Sequence, residues 1–181
     1  MSRCKPLAGL VKTFVWIIRG TPLMLQILVI YLGPGLLGFT SPWPSGGSGR
    51  LVAAVVAFAI NYACYFSEIY RGGIEAVPRG QTEAGQVLGM TRTQIFFRVT
   101  LLQVIKRILP PMGNEIITLV KDTSLAFAIG VGEMFSTAKA LVASQVSMVP
   151  FAIAALIYWV FNFVVEMLLG AAEKKLDYYH D

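Results

Sequence analysis

The chain has 181 residues, of which 56% are hydrophobic and only 14% are charged, and its mean hydropathy is +0.67. These values exceed what a soluble core needs and predict a polytopic, all-α membrane protein. The net charge of +5 does not indicate nucleic-acid binding, because the basic residues are spread along segments between apolar blocks. The one histidine, His180, and the two separated cysteines exclude a His-based zinc site and a disulfide framework.

The sequence carries no motif for catalysis or for nucleotide binding. A GxxxxGK[ST] phosphate loop is absent, so any ATP that drives this protein must bind to another chain. An intramembrane enzyme would have to use the carboxylates Glu68, Glu115 and Asp122, and nothing in the sequence fixes their acid-base geometry. We therefore predict no catalytic residue, no metal site and no cofactor on this chain.

Long apolar stretches predict about four membrane-spanning helices. A span needs roughly 20 predominantly apolar residues. The candidate stretches, in chain order, are 22–40, 51–70, 112–132 and 150–170. The third is the weakest because it contains Glu115, Lys121 and Asp122. We count it because ionisable residues inside a membrane are expected to face the bundle interior or a water-filled cavity.

The distribution of basic residues predicts the orientation of these spans. The polar segment 71–108 is rich in arginine, which places it in the cytoplasm by the positive-inside rule. With four spans, the N-terminal basic segment and the C-terminal tail lie on the same side. Twelve of the fifteen Lys and Arg residues are then inside. The pattern therefore predicts a multi-pass protein with a cytoplasmic C-terminus.

The cytoplasmic segment reads as two short helices. Pro78 opens the first helix and Gly89 ends it, whereas Thr91 and Gln94 fit the capping box of the second. The pair Pro110-Pro111 is expected to stop that second helix.

Small residues suggest a specific role for the first of these helices. The stretch Glu83-Ala84-Gly85 followed by Gly89 allows close backbone approach and a positive-φ stop, which makes a compact knob for a cleft on a partner. An ordinary helix turn explains the same pattern.

Polar residues recur on single faces of two predicted spans. The second span carries Asn61, Tyr65, Glu68 and Gly72 at i, i+4, i+7 and i+11. The third carries Glu115, Thr118 and Asp122 on one face, with Asn114 on an adjacent one. Such faces serve either helix-helix hydrogen bonding or a solute pathway, and the pattern leaves both open. Their chemistry suits a zwitterionic solute.

Several motifs in a fixed order resemble those of permease subunits of polar amino-acid ABC transporters. They are Arg19-Gly20-Thr21-Pro22-Leu23, Ser67-Glu68-Ile69-Tyr70-Arg71-Gly72-Gly73-Ile74, Glu83-Ala84-Gly85 to Gly89, Leu109-Pro110-Pro111-Met112-Gly113-Asn114-Glu115 and Lys121-Asp122-Thr123-Ser124. The resemblance covers almost the whole chain. It departs from the family at Gly85, where alanine is usual, and at Leu102, where a proline commonly follows leucine.

The resemblance implies the fold of a type I ABC importer permease in the bacterial cytoplasmic membrane, with a cytoplasmic coupling helix. It assigns docking on the ATPase to Glu83, Ala84, Gly85 and Gly89. Together with the polar faces of the second and third spans, the resemblance implies a binding site for the amino acid near six residues: Asn61, Tyr65, Glu68, Asn114, Glu115 and Asp122. The implied partners are ABC ATPase subunits that hold ATP and Mg, a second permease chain, an external binding protein and membrane lipid.

Relatives in this family usually have five spans, so we expect that this chain lacks the first. The sequence names neither the amino acid nor the identity of the second permease chain. A self-contained secondary transporter or channel subunit would also show polar faces, although four spans without internal repeats is short for one. A truncated scaffold that does not transport is the other alternative.

Overall fold

The computed structural model describes residues 5–176 of the chain, so His180 lies outside the described residues. Helices account for most of this part of the chain. They are α1 (Lys5–Arg19), α2 (Leu23–Leu36), α3 (Gly47–Glu75), α4 (Arg79–Val87), α5 (Arg92–Ile95), α6 (Leu101–Asp122), α7 (Met134–Gln145) and α8 (Val149–Leu176). A π-helical turn, Phe96–Thr100, joins α5 to α6, and a 3₁₀ segment, Thr123–Ile129, follows α6.

Two of these helices, α3 and α8, are each long and apolar enough to cross a membrane. Two bent pairs pass the same test only when their members are combined. In the first pair, α1 and α2 meet at 109°; in the second, the helical run Arg92–Ile129 meets α7 at 59°. Within residues 5–176, length and composition thus allow two to four spans. The helices α3 and α8 contain the predicted stretches 51–70 and 150–170 and extend beyond them.

The first predicted span, 22–40, is not a single long helix. Its helical part is only α2, and the basic segment before it forms a separate helix, α1. The N-cap of α2 is Pro22, whose backbone is extended, whereas the Thr21 hydroxyl lies 3.1 Å from the carbonyl oxygen of Ile17 in α1. Thr21 therefore closes the end of α1 rather than capping α2, because its hydroxyl lies within hydrogen-bond distance of the last carbonyl oxygens of α1, those of Ile17 and Ile18.

The prediction that Pro110-Pro111 stops a helix is wrong, because α6 runs through both residues. Proline removes a backbone donor, yet helices tolerate it where packing on either side holds the helix together. Val104 is buried before the pair, and Gly113 after it packs against Leu169 of α8. The two proline rings themselves are exposed. Tertiary packing on the opposite face thus overrides the local stop signal.

The chain divides into two compact units, and α3, α6 and α8 contribute to both. Of the described residues, unit 1 comprises 5–65 and 119–159. Its core joins α2, α3 and the 3₁₀ segment, and consists of Ile27, Ala53, Ala54, Ala57, Ala126 and Ile129. Small alanines on one face of α3 let neighbouring backbones approach closely, as is typical of membrane helices.

Unit 2 comprises residues 66–118 and, within the described part of the chain, 160–176. Within it, the C-terminal end of α3 packs on α6 where Gly73 meets Ile108, so closely that a Cβ at residue 73 would overlap the Ile108 side chain. The guanidinium of Arg107 donates a hydrogen bond to the carbonyl oxygen of Ala76, just beyond α3. These contacts fix the end of α3 to α6, next to the connection that carries α4.

Candidate translocation and coupling sites

Backbone hydrogen bonds define the end of α4. The amide of Gly89 donates to the carbonyl of Gln86 at 2.9 Å, and the amide of Met90 donates to the carbonyl of Gly85 at 3.0 Å. This paired pattern is a Schellman motif, which requires a left-handed residue after the helix. Gly89 supplies it with a φ of 72°. The predicted glycine stop at this position is confirmed, as is the capping box formed by Thr91 and Gln94.

Gly85 faces inward, toward the rest of unit 2. A Cβ built on it would lie 2.7 Å from Cγ1 and 3.0 Å from Cδ1 of Ile95, and Ile95 itself is buried. The absence of a side chain at residue 85 therefore lets α4 rest directly on α5. Glu83 and Ala84, in contrast, are exposed on α4.

An apolar tip completes the exposed surface of α4. Val87 is 87% exposed and Leu88 is 79% exposed, directly before the turn at Gly89. Neither residue was among those predicted to dock on the ATPase. The sequence does contain a feature that could have identified them, which is an apolar pair immediately before a glycine that ends a helix. A helix end exposed to water ordinarily carries polar residues at these positions. We call the exposed residues Glu83, Ala84, Val87 and Leu88 the α4 tip.

Three of the residues predicted to bind solute lie in unit 1, where hydrogen bonds join the helices. Asn61 is buried, at 5% exposure, and its amide donates to Oε1 of Gln26 at 3.0 Å. The Gln26 amide in turn donates to the carbonyl of Ile18 at 2.7 Å. The phenol of Tyr65 donates a long hydrogen bond of 3.5 Å to the carbonyl of Arg19. Asn61 and Tyr65 thus connect α3 to the bend between α1 and α2.

Asp122 is the third of these residues and ends α6. Its Oδ2 accepts a hydrogen bond of 2.8 Å from the phenol of Tyr62, a buried residue of α3 that the sequence analysis did not select. Tyr62 directly follows Asn61 in the sequence, so it lies outside the i, i+4, i+7 and i+11 pattern that defined the polar face. The pair holds a carboxylate in a defined place with one phenolic donor.

The other three predicted residues lie in unit 2. Glu68 forms an ion pair with Arg71 at 2.5 Å, and Arg71 also contacts Glu75 at 2.6 Å. Glu115 is half-buried, and Asn114 is exposed, with its carbonyl accepting a hydrogen bond from Thr118 at 3.0 Å. The carboxylate of Glu68 is therefore largely balanced by a cation on its own helix. Within residues 5–176, no group of three or more His, Cys, Asp or Glu side chains could hold a metal ion.

Comparison with known proteins identifies the class. Residues 1–178 match the family of binding-protein-dependent transport system inner membrane components. The chain belongs to this family, and is therefore a multi-pass inner-membrane permease of the ABC-transporter type. The predicted all-α permease fold and the predicted family are thereby confirmed.

Relatives that have been characterised cover nearly the whole chain. The L-cystine transport system permease protein TcyB of Bacillus subtilis is 40% identical to this chain. The aligned region covers 99% of this chain and 74% of TcyB. The arginine transport system permease protein ArtQ of the same organism is 37% identical over 97% of this chain and 80% of its own. A solved structure, described as an amino acid ABC transporter with histidines, aligns with a TM-score of 0.82 and 36% identity. It covers 97% of this chain and 79% of that one.

Proposed function

We propose that this chain is the membrane-spanning subunit of an ATP-driven importer for a polar amino acid, and that it docks on a separate ATPase through α4. The observation that carries the proposal is the α4 tip. It is an apolar and acidic surface, exposed on a helix whose opposite face packs against α5. The named functions of the relatives, which transport cystine or arginine, support the solute class. Family membership favours this proposal over a self-contained carrier or a scaffold that does not transport.

The geometry of α4 suits the transmission of force. The helix rests on buried Ile95 through Gly85, and α5 continues through the π-helical turn into α6. A push on the α4 tip therefore reaches α6 through packed side chains and continuous helix. Such a movement drives transport only if ATP and its hydrolysis products stabilise two different states of the complex.

We further propose the partners and the topology that this role requires. ATP and Mg bind to the ATPase subunits, a second permease chain completes the pathway, and an external binding protein delivers the amino acid. The tail with Lys174 and Lys175 lies in the cytoplasm, as the positive-inside rule requires.

For the solute site we propose the residues selected from the sequence, and we rank them differently, from their hydrogen bonds and ion pairs, as candidates for direct contact with the solute. Asp122 is the strongest candidate to attract an amino group, because within residues 5–176 its carboxylate accepts its hydrogen bond from the neutral Tyr62 phenol, which does not balance its charge. Glu68 is weaker, since Arg71 already pairs with it. Asn61 and Tyr65 are engaged in holding the helices of unit 1, so they shape the pathway. Asn114 and Glu115 in α6 remain candidates to orient the solute carboxylate and amino group.

The docking proposal is tested by placing a charge on the α4 tip. Val87→Asp puts a carboxylate where we expect an apolar contact, so ATP hydrolysis stimulated by the loaded binding protein should fall at least tenfold. Val146→Asp places the same charge on a comparably exposed valine, at 93%, in the turn between α7 and α8 on the predicted external side, and it should leave the basal ATP hydrolysis of the complex unchanged. Full stimulation in the Val87→Asp complex, with the ATPase still bound after purification, would exclude docking at this tip.

The transport proposal needs a separate experiment. Purification of the complex in mild detergent, followed by mass spectrometry, should recover an ATPase with a phosphate loop. Reconstituted vesicles should then take up one of a panel of labelled amino acids, including cystine, arginine, histidine and glutamine, only with internal ATP. Uptake that proceeds without ATP would establish a self-contained carrier instead.

A further inference from the structure

The amphipathic surface of α1 is not used by the coupling or transport proposals. Its exposed apolar residues lie on one broad side of the helix: Leu7, Leu10, Val11, Phe14 and Ile17. Lys5, Lys12 and Arg19 recur every seven residues, which places all three on the opposite side. The sequence of α1 contains no acidic residue.

The angle at the end of α1 is built by specific hydrogen bonds. The Gln26 amide lies 2.7 Å from the carbonyl of Ile18 and 2.9 Å from the Thr21 hydroxyl, so it bridges the two sides of the bend. Asn61 of α3 holds Gln26 in turn. The cation of Arg19 lies 5.1 Å from the centre of the Tyr65 ring. The bend of 109° is therefore fixed by α3 and is not a frayed helix end.

This fixed angle has a consequence for the position of α1 in a membrane. The helix α2 is apolar along its length and packs with α3 in the core of unit 1, and α3 is long enough to cross the bilayer. We take α2 to run across the bilayer beside α3; a helix that turns by 109° from α2 then runs close to the plane of the membrane surface. The two-sided pattern of α1 fits that orientation, since an interfacial helix buries one apolar face and keeps a basic face among the headgroups.

We propose that α1 lies in the plane of the membrane, with its apolar face in the acyl chains and its basic face on anionic phospholipid headgroups. The charge complementarity identifies the occupant, because Lys5 and Lys12, on a helix without an acidic residue, match an anionic leaflet. Trp16 is 76% exposed on the basic side between Lys12 and Arg19. Tryptophan is enriched at the level of the headgroups, where its ring meets apolar carbon and its N–H meets polar groups.

The orientation is tested by spin labels on single cysteines in the complete complex reconstituted in lipid, with Cys4→Ser and Cys64→Ala as background. Labels at Leu10→Cys and Phe14→Cys should collide mainly with oxygen, and labels at Gly9→Cys and Thr13→Cys mainly with an aqueous nickel chelate. If the ratio of oxygen to nickel collisions instead changed steadily along the helix from Lys5 to Arg19, α1 would be half of a broken membrane span. Labels shielded from both reagents on the apolar face would place a protein partner there. Either result overturns the proposal.

The lipid preference is tested with Trp16 as the sole tryptophan, after Trp43→Phe and Trp159→Phe. Brominated phosphatidylglycerol should quench its fluorescence more strongly than brominated phosphatidylcholine. The variant Lys5→Gln/Lys12→Gln should weaken that preference by about fivefold for each lysine removed. The control Lys174→Gln/Lys175→Gln removes the same charge from α8 and should leave the preference intact. Equal quenching by both lipids in the parent chain would overturn the choice of an anionic surface.

Discussion

Gly85 of α4 packs directly on Ile95 of α5, so closely that a Cβ at residue 85 would lie 2.7 Å from the Cγ1 atom of Ile95. This contact places α4 on the helical run that leads into α6. The absence of a side chain at residue 85 leaves room for the buried side chain of Ile95. The closeness of these two residues therefore determines how the α4 tip is presented.

Valine at residue 85 should separate α4 from α5. Overpacking typically costs about 1–3 kcal/mol, so Gly85→Val should lower both the thermal stability of the complex and its stimulated ATP hydrolysis. Gly80→Val is the matched control, because Gly80 lies on the same helix with open space around it. Equal losses in the two variants would show that the valine acts through helix propensity and not through Ile95.

Local signals were sufficient to predict the segment around α4. The stop at Gly89 and the capping box of Thr91 and Gln94 depend on residues a few positions apart, and both are confirmed. The passage of α6 through Pro110-Pro111 was missed because the contact of Gly113 with Leu169 comes from a distant part of the chain. Periodicity finds a helical face but does not identify what covers it.

The same limit applies to the candidate solute site. The sequence selected Asn61 and Asp122 as polar residues inside apolar helices, and the structure supplies their partners, Gln26 and Tyr62. Gln26 lies in the predicted stretch 22–40, which is predominantly apolar, and it was not selected as a polar residue of interest. Whether a buried polar group joins two helices or faces a solute depends on such partners, which are far apart in the sequence.

The paired glycines at the end of α3 provide a second matched test. Gly73 meets Ile108, whereas Gly72 has nothing within 4 Å of an added Cβ. Gly73→Ala should destabilise the complex by about 1–3 kcal/mol through overpacking. Gly72→Ala should be neutral or stabilising by up to about 1 kcal/mol, since alanine favours a helix. Thermal unfolding of the two purified complexes measures the difference, and a reversed order would contradict the close packing of α3 on α6.

Removal of the Tyr62 hydroxyl tests the role of Asp122. Tyr62→Phe keeps the ring and removes the donor of the 2.8 Å hydrogen bond, so it leaves the carboxylate less well oriented. If Asp122 attracts the amino group of the solute, the KM of uptake should change several-fold in this variant and rise further in Asp122→Asn. Tyr70→Phe, at an exposed tyrosine of the same helix, serves as the control. Unchanged uptake kinetics in Asp122→Asn would remove this residue from the solute site.

The bond between Asn61 and Gln26 gives a prediction that separates a structural role from solute binding. A polar pair between membrane helices is worth about 0.6 kcal/mol on average and up to about 1.7. Asn61→Ala and Gln26→Ala should each destabilise the complex, and the double variant should lose less than the sum of the two.

Uptake kinetics complete this test. If Asn61 mainly holds α3 against the bend between α1 and α2, the KM for the amino acid should stay within about twofold of the parent value while stability falls. A large increase in KM, together with additive losses of stability, would show instead that the Asn61 amide contacts the solute. The same measurements on Gln26→Ala distinguish the two cases further, because Gln26 contacts the bend through the carbonyl of Ile18 and should affect stability alone.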